Sequence, residues 1–193
     1  NKTSGELNEL FHKVLNDGMH GICFSAYEEG QKPGDVLTEE QIRRRMKIIA
    51  PYTKWVRSFS CIEGNELIPQ IAKEFGLKTL VGAWLGKDPK LNEQEVEGLI
   101  KLAKEGFVDI AAVGNEVLYL EDLTEEELLA FIKRVKEAIP QIPVGYVDAY
   151  YERGLVYDEH MHDRVKAIDD FTKTLRLRAA FSNAYFSRGA AFI

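Results

Sequence analysis

The sequence predicts an α/β protein built on a parallel sheet, and three observations carry that prediction. From residue 4 to about residue 150, segments with apolar residues at helical spacing alternate with short apolar runs that read as strands, the pattern of βαβ units. Helix starts and stops punctuate the alternation. The loop after the first run, Tyr27-Glu28-Glu29-Gly30, lacks the glycine pattern of a dinucleotide site and disfavours a Rossmann arrangement. Periodicity alone leaves a doubly wound open sheet and the start of an eight-fold barrel both open.

The first helix precedes any strand. Leu7, Leu10, Phe11, Val14 and Leu15 repeat at one-sided helical spacing, with Ser4 as the expected cap and Asp17-Gly18 as the break. Strand-like runs follow at 21–27, 55–61, 79–85, 108–113 and 144–150. Thr38 to Gln41 has the form of a capping box, with Ile42, Met46, Ile49 and Ala50 on one face behind it. Gly76 ends the next helix. Asn92 is expected to open the one after, with Val96, Leu99, Ile100 and Ala103 buried and Gly106 as its stop. Thr124 to Glu127 forms a second capping box, three consecutive Glu complement the helix dipole, and Leu128, Phe131, Ile132, Val135, Ala138 and Ile139 supply the stripe before Pro140.

After Tyr150 the pattern changes to helix, which places a boundary between a module over 1–149 and another over 150–193. Ala149-Tyr150-Tyr151-Glu152-Arg153-Gly154 recurs 35 positions later as Ala184-Tyr185-Phe186-Ser187-Arg188-Gly189, a period typical of helical repeats.

Composition bounds the function. The chain of 193 residues is 45% hydrophobic and 29% charged, as expected of a globular protein. A formal net charge of −6 argues against an electrostatic grip on nucleic acid or anionic lipid. No apolar stretch approaches the roughly 20 residues of a membrane-spanning helix, and the N-terminus lacks the features of a secretory signal, so a soluble protein is expected, its compartment open. Cys23 and Cys61 lie in strand-like runs and are expected to be buried, reduced thiols.

Four strings carry a resemblance: Trp55-Val56-Arg57-Ser58-Phe59-Ser60, Val81-Gly82-Ala83-Trp84-Leu85-Gly86, Ala112-Val113-Gly114-Asn115-Glu116-Val117-Leu118 and Val147-Asp148-Ala149-Tyr150-Tyr151-Glu152. Over about residues 19–152 they resemble strands two to five of glycoside hydrolase family 17, with the Gly-Asn-Glu-Val core as the most specific part. The resemblance implies a (β/α)8 TIM barrel, of which only five strands are evident, and action on β-1,3-linked glucan by a retaining mechanism without a cofactor. It places Glu116 as acid/base at the end of strand four. Residues 150–193 are similar to a tetratricopeptide repeat, through Tyr150, Gly154, Tyr157, Ala167, Phe171, Ala184, Tyr185 and Gly189. That implies a helical hairpin plus one helix and a protein partner.

A retaining glycosidase needs two carboxyl groups about 5 Å apart, one to protonate the leaving oxygen and one to attack the anomeric carbon. Glu116 is the candidate for the first, with Ala112 and Gly114 expected to leave room for ligand beneath it. Asn115 is expected to bond the sugar 2-hydroxyl, and Arg57 to orient the second carboxylate. Trp84 and Tyr27 end strands where they can stack on sugar faces, and Asp148 and Tyr151 share the face on strand five. His160-Met161-His162 lacks a closed metal-ligand set and reads as a solvated turn. Asp35, Glu63 and Glu125 to Glu127 read as surface charge. In the resembled family the nucleophilic Glu lies on strand seven in a Gly-Trp-Pro context, absent from these residues, so inactivity of the isolated chain is expected. Its open strand edges are expected to favour homo-oligomers or aggregation.

Overall fold

The computed structural model describes residues 2–147 and 162–177. The candidates Asp148 and Tyr151, the His160-Met161 pair and most of the tetratricopeptide-like stretch lie outside them. Five strands form one parallel sheet: β1 (Ile22–Cys23), β2 (Trp55–Ser58), β3 (Lys78–Ala83), β4 (Ile110–Asn115) and β5 (Val144–Val147). Their spatial order is their order in the chain. A doubly wound sheet reverses order at a switch point, whereas a barrel adds each strand beside the last. The described strands therefore follow barrel order.

The helices are α1 (Ser4–Asp17), α2 (Glu39–Ile49), α3 (Leu67–Glu74), α4 (Pro89–Lys104), α5 (Glu125–Ala138) and α6 (Arg164–Leu177). Two starts differ from expectation. Thr3, not Ser4, caps α1, because Thr3 and Glu6 have the three-residue separation at which each side chain satisfies the other's amide. Asp88, not Asn92, caps α4: its carboxylate accepts the Lys90 and Leu91 amides, and Pro89 occupies the first-turn position where a missing N–H costs nothing. The second box is complete at Thr124 and Glu127. At α2 only half forms, since Thr38 accepts the Gln41 amide while the Gln41 side chain donates to the Ala26 carbonyl at 2.7 Å instead.

The sheet alternates cleanly. Val81, Ala83, Ala111 and Val113 face Leu99, Leu102, Leu128 and Val135 of α4 and α5 in one core, while Val56 joins Ile42, Met46, Ile68 and Ile71 of α2 and α3 in another. The alternate positions, Arg57, Leu80, Gly82 and Ala112, occupy the opposite, inner face. Cys23 pairs in register with Arg57 and shares that face, so it is exposed rather than buried; Cys61 is buried as expected, and both thiols are free. Leu7, Leu10 and Phe11 of α1 are exposed, because this helix lies outside the sheet layers against the short turn Ala50–Tyr52. Among the described residues no helix is long and apolar enough to cross a membrane.

Candidate active site

The site is built by an irregularity in β4. Ala112 pairs with Gly145 and Asn115 with Val147, so three steps along β4 match two along β5. One extra residue is accommodated at Gly114, whose φ of +79° suits a glycine bulge. Strict alternation from Ala112 would put Gly114 on the inner face and Asn115 on the outer one. The bulge reverses this and brings Asn115 to the inner face. Gly114 accordingly does not leave space beneath Glu116. A Cβ there would meet Leu128 and Tyr146 side chains at 3.3 and 3.4 Å, on the helix side.

Arg57, one strand beyond β3, donates from Nη2 to the Asn115 Oδ1 at 2.6 Å. The inner-face row between them consists of Gly82 and Ala112, small enough for the long side chain to pass. Since a guanidinium only donates, Asn115 must present its oxygen to Arg57, leaving its amide N–H groups for another acceptor. The Arg57 guanidinium also lies 4.6 Å from the Phe59 ring centre, and its Nε is buried without a partner among the described residues. Arg57 thus holds Asn115.

Glu116 follows with a φ of +58°, a left-handed conformation uncommon for a side-chain-bearing residue and a form of strain often found at functional sites. Its neighbours hold it there. The Val117 side chain is fully buried, the Leu120 amide donates to the Glu116 carbonyl at 2.9 Å, and the Leu118 amide donates to the Tyr146 hydroxyl at 3.2 Å.

A cavity of about 750 Å³ opens at the C-terminal ends of β1 to β3, with Tyr27, Phe59, Ser60, Trp84 and Leu91 among its walls. Trp84 is 45% exposed and lines it. Tyr27 lies in the loop well past β1, which ends at Cys23, and its hydroxyl accepts from Asn65 at 3.5 Å. Glu63 also lines the cavity, half-buried, rather than standing on the open surface. Trp84 and Tyr27 share one cavity, then, while Arg57 reaches from β2 to Asn115 at the end of β4, and Glu116 follows Asn115 in the chain.

Residues 21–170 match the BtgE/BtgC glycoside hydrolase domain. The chain belongs to this family. A glucan 1,3-beta-glucosidase of Arthroderma benhamiae is 37% identical over 103 residues, covering 49% of this chain and 32% of that protein. The chain therefore spans about a third of the length of this curated relative. An active-site mutant of the Rhizomucor miehei beta-1,3-glucanosyltransferase, solved with laminaritriose, superposes with a TM-score of 0.60 at 23% identity, covering 91% of this chain and 68% of that one. That likeness establishes a shared barrel-type fold.

Three polar residues of this glycoside hydrolase domain tie helices to the loops around the cavity; the sequence marks Asn92 and Gln41 only as helix-start residues and does not single out Glu95. Asn92, buried in α4, accepts from the Gly86 amide at 2.8 Å and donates to the Gly86 carbonyl at 2.7 Å. Gln41 ties α2 to the loop after β1 through the Ala26 carbonyl. Glu95, also on α4 and only 2% exposed, accepts from the Ser60 hydroxyl and from the Cys61 amide at 2.7 Å. Burial pushes its carboxyl up to about 7, while the Ser60 hydroxyl and the nearby Cys61 and Trp84 amides pull the other way. The available cue was a Glu at position 95 next to Val96 and one turn before Leu99, adjoining the apolar stripe where an unpaired carboxylate is costly.

Proposed function

We propose that this glycoside hydrolase domain acts on β-1,3-linked glucan by a retaining double displacement, with Glu116 as the proton donor. The observation that carries the reading is the Gly114 bulge. It turns Asn115 to the inner face beside Arg57 and leaves Glu116 in a constrained conformation at the C-terminal end of β4, where barrel enzymes keep their chemistry. The named activities of the two relatives, a glucan 1,3-beta-glucosidase and a beta-1,3-glucanosyltransferase holding laminaritriose, support the substrate class.

In this reading the free amide of Asn115 donates to the sugar 2-hydroxyl, a contact that tightens as positive charge develops at the anomeric carbon. Glu116 protonates the departing oxygen and later deprotonates the incoming water or sugar hydroxyl. Trp84 and Tyr27 stack on glucose rings in the adjacent cavity, whose volume falls in the range of small-ligand sites. The unpaired Arg57 Nε is left to orient the attacking carboxylate. By the family resemblance Asp148 and Tyr151 are further substrate-binding residues. That carboxylate has no candidate in a Gly-Trp-Pro context within these residues, so the 193 residues alone bind glucan without turning it over. Calorimetry with laminaritriose tests the first half and reducing-sugar release from laminarin the second. Absent binding, or release that Glu116→Gln abolishes, would overturn the corresponding half.

A second reading assigns residues 150–193 to a tetratricopeptide-like element that binds a protein partner. Its support is Ala167 and Phe171, both fully buried on α6. The family match running to residue 170 favours instead the helix that follows a fifth barrel strand. A pull-down with 150–193 alone separates the two. Self-association belongs to the proposal as well, because β1 and β5 each pair on one side only among the described residues.

A further inference from the structure

One face of α4 is given over to loops rather than to the core. Asn92, Glu95 and Gly98 recur at three-residue spacing and so share a side of the helix. Asn92 bonds Gly86 in both directions. Glu95 takes the Ser60 hydroxyl and the Cys61 amide, which follow β2, and lies near the Trp84 amide, in the same post-β3 loop that Asn92 holds at Gly86. At Gly98 a Cβ would lie 2.7 Å from the Cys61 carbonyl oxygen and 2.9 Å from its Cβ. The missing side chain lets the helix approach the Cys61 loop closely enough for Glu95 to reach it.

Burying a carboxylate is expensive, and an apolar side chain of similar size would hold a helix on a sheet at lower cost. What an apolar residue cannot do is bond two donors of the loop after β2 while Asn92, on the same helix face, bonds the loop after β3. Those loops supply Ser60 and Trp84, which wall the cavity. We propose that Glu95 is a positioning residue: with Asn92 on the same helix face, it clasps the loops after β2 and β3 so that Trp84 presents its ring to a bound glucan. The inference rests on the cavity being the glucan-binding face.

The test uses the whole chain with Trp55→Phe, which leaves Trp84 as the one tryptophan of the two in the sequence. Glu95→Gln keeps the shape but places an NH2 group against backbone donors. It is expected to shift the Trp84 emission maximum without any sugar, and to weaken laminaritriose binding about tenfold, the scale of one lost charge-assisted hydrogen bond. In a Trp84→Ala background, read by calorimetry, the same change is expected to cost less than about twofold, since coupled residues are not additive. Unchanged emission, or a full loss of affinity in the Trp84→Ala background, would contradict the clasp. If the parent chain does not bind laminaritriose, the glucan reading fails, and the sugar-free emission still decides the clasp. Should Glu95→Gln not fold, Ser60→Ala removes one donor and spares the Cys61 amide. It is expected to move Trp84 emission in the same direction by less, and no movement would count against the proposal.

Discussion

Glu116 and Glu95 are two carboxylates treated differently by the same fold. Glu116 sits at a strand end, half-buried, in a left-handed backbone conformation. Glu95 is enclosed by α4 and two loops, and burial lifts its carboxyl to about 7 from an ordinary 4.5. A carboxyl that binds its proton more tightly folded than unfolded stabilises the fold fully below the unfolded value, and that contribution is lost as pH rises through the folded one. Relative to Glu95→Gln, which cannot titrate, the parent chain should therefore lose about 3 kcal/mol of stability between pH 4.5 and 7. Urea denaturation at pH 4.5, 6 and 8 checks this, and parallel pH profiles for the two proteins would rule it out. The Cys61 thiol beside it is pushed well above its usual range by burial, with Glu95 and Glu66 adding to the effect, so it stays protonated through that window. Glu116 could be singled out from sequence because the Gly-Asn-Glu-Val string is specific. Glu95 could not, because nothing local to position 95 tells that Ser60 and Trp84 converge on it from two other segments.

Among the elements, β4 and its bulge decide the site. Gly114→Ala puts a side chain on a residue with φ of +79° and a Cβ 3.3 Å from Leu128. The expected cost is about 1–2 kcal/mol for the left-handed backbone, and if the strand relaxes by expelling the bulge, Asn115 turns away from Arg57. Glucan binding should fall together with stability. Thr124→Ala is the contrasting case: losing the cap of α5 should cost about 1 kcal/mol and leave laminaritriose affinity within about twofold. Thermal melts paired with calorimetry on the two variants separate the roles, and equal effects on binding would remove the bulge from the account. The helices were legible in sequence because caps and apolar stripes are local signals. Their starts moved where a better cap stood nearby, at Thr3 and Asp88. The bulge was not legible, since Gly114 reads equally well as a turn residue, and only the pairing of Ala112 and Asn115 with β5 exposes the extra residue. The strand β1 was overextended for a related reason: Phe24 and Ala26 are buried like strand residues, yet residue pairing ends at Cys23, with the Phe24 amide donating to the Arg57 carbonyl at 2.9 Å.

At the scale of the molecule, barrel order follows from the sheet and not from periodicity, which is the same for doubly wound and barrel arrangements. Each outer strand of the described sheet offers one unpaired edge, and α1 exposes Leu7, Leu10 and Phe11. Light scattering on the purified chain is expected to give a mass above that of a monomer, and a monodisperse monomer with a cooperative melt would refute self-association. Kinetics decide the role of Glu116. In a form of the protein that turns over laminarin, Glu116→Gln should lower kcat by about 10²–10⁴-fold, the range of general acid catalysis, with no loss of thermal stability. An aryl glucoside whose leaving group needs no proton should be affected far less in its first step. Laminarin turnover retained within a few-fold, or an equal loss on both substrates, would contradict the account.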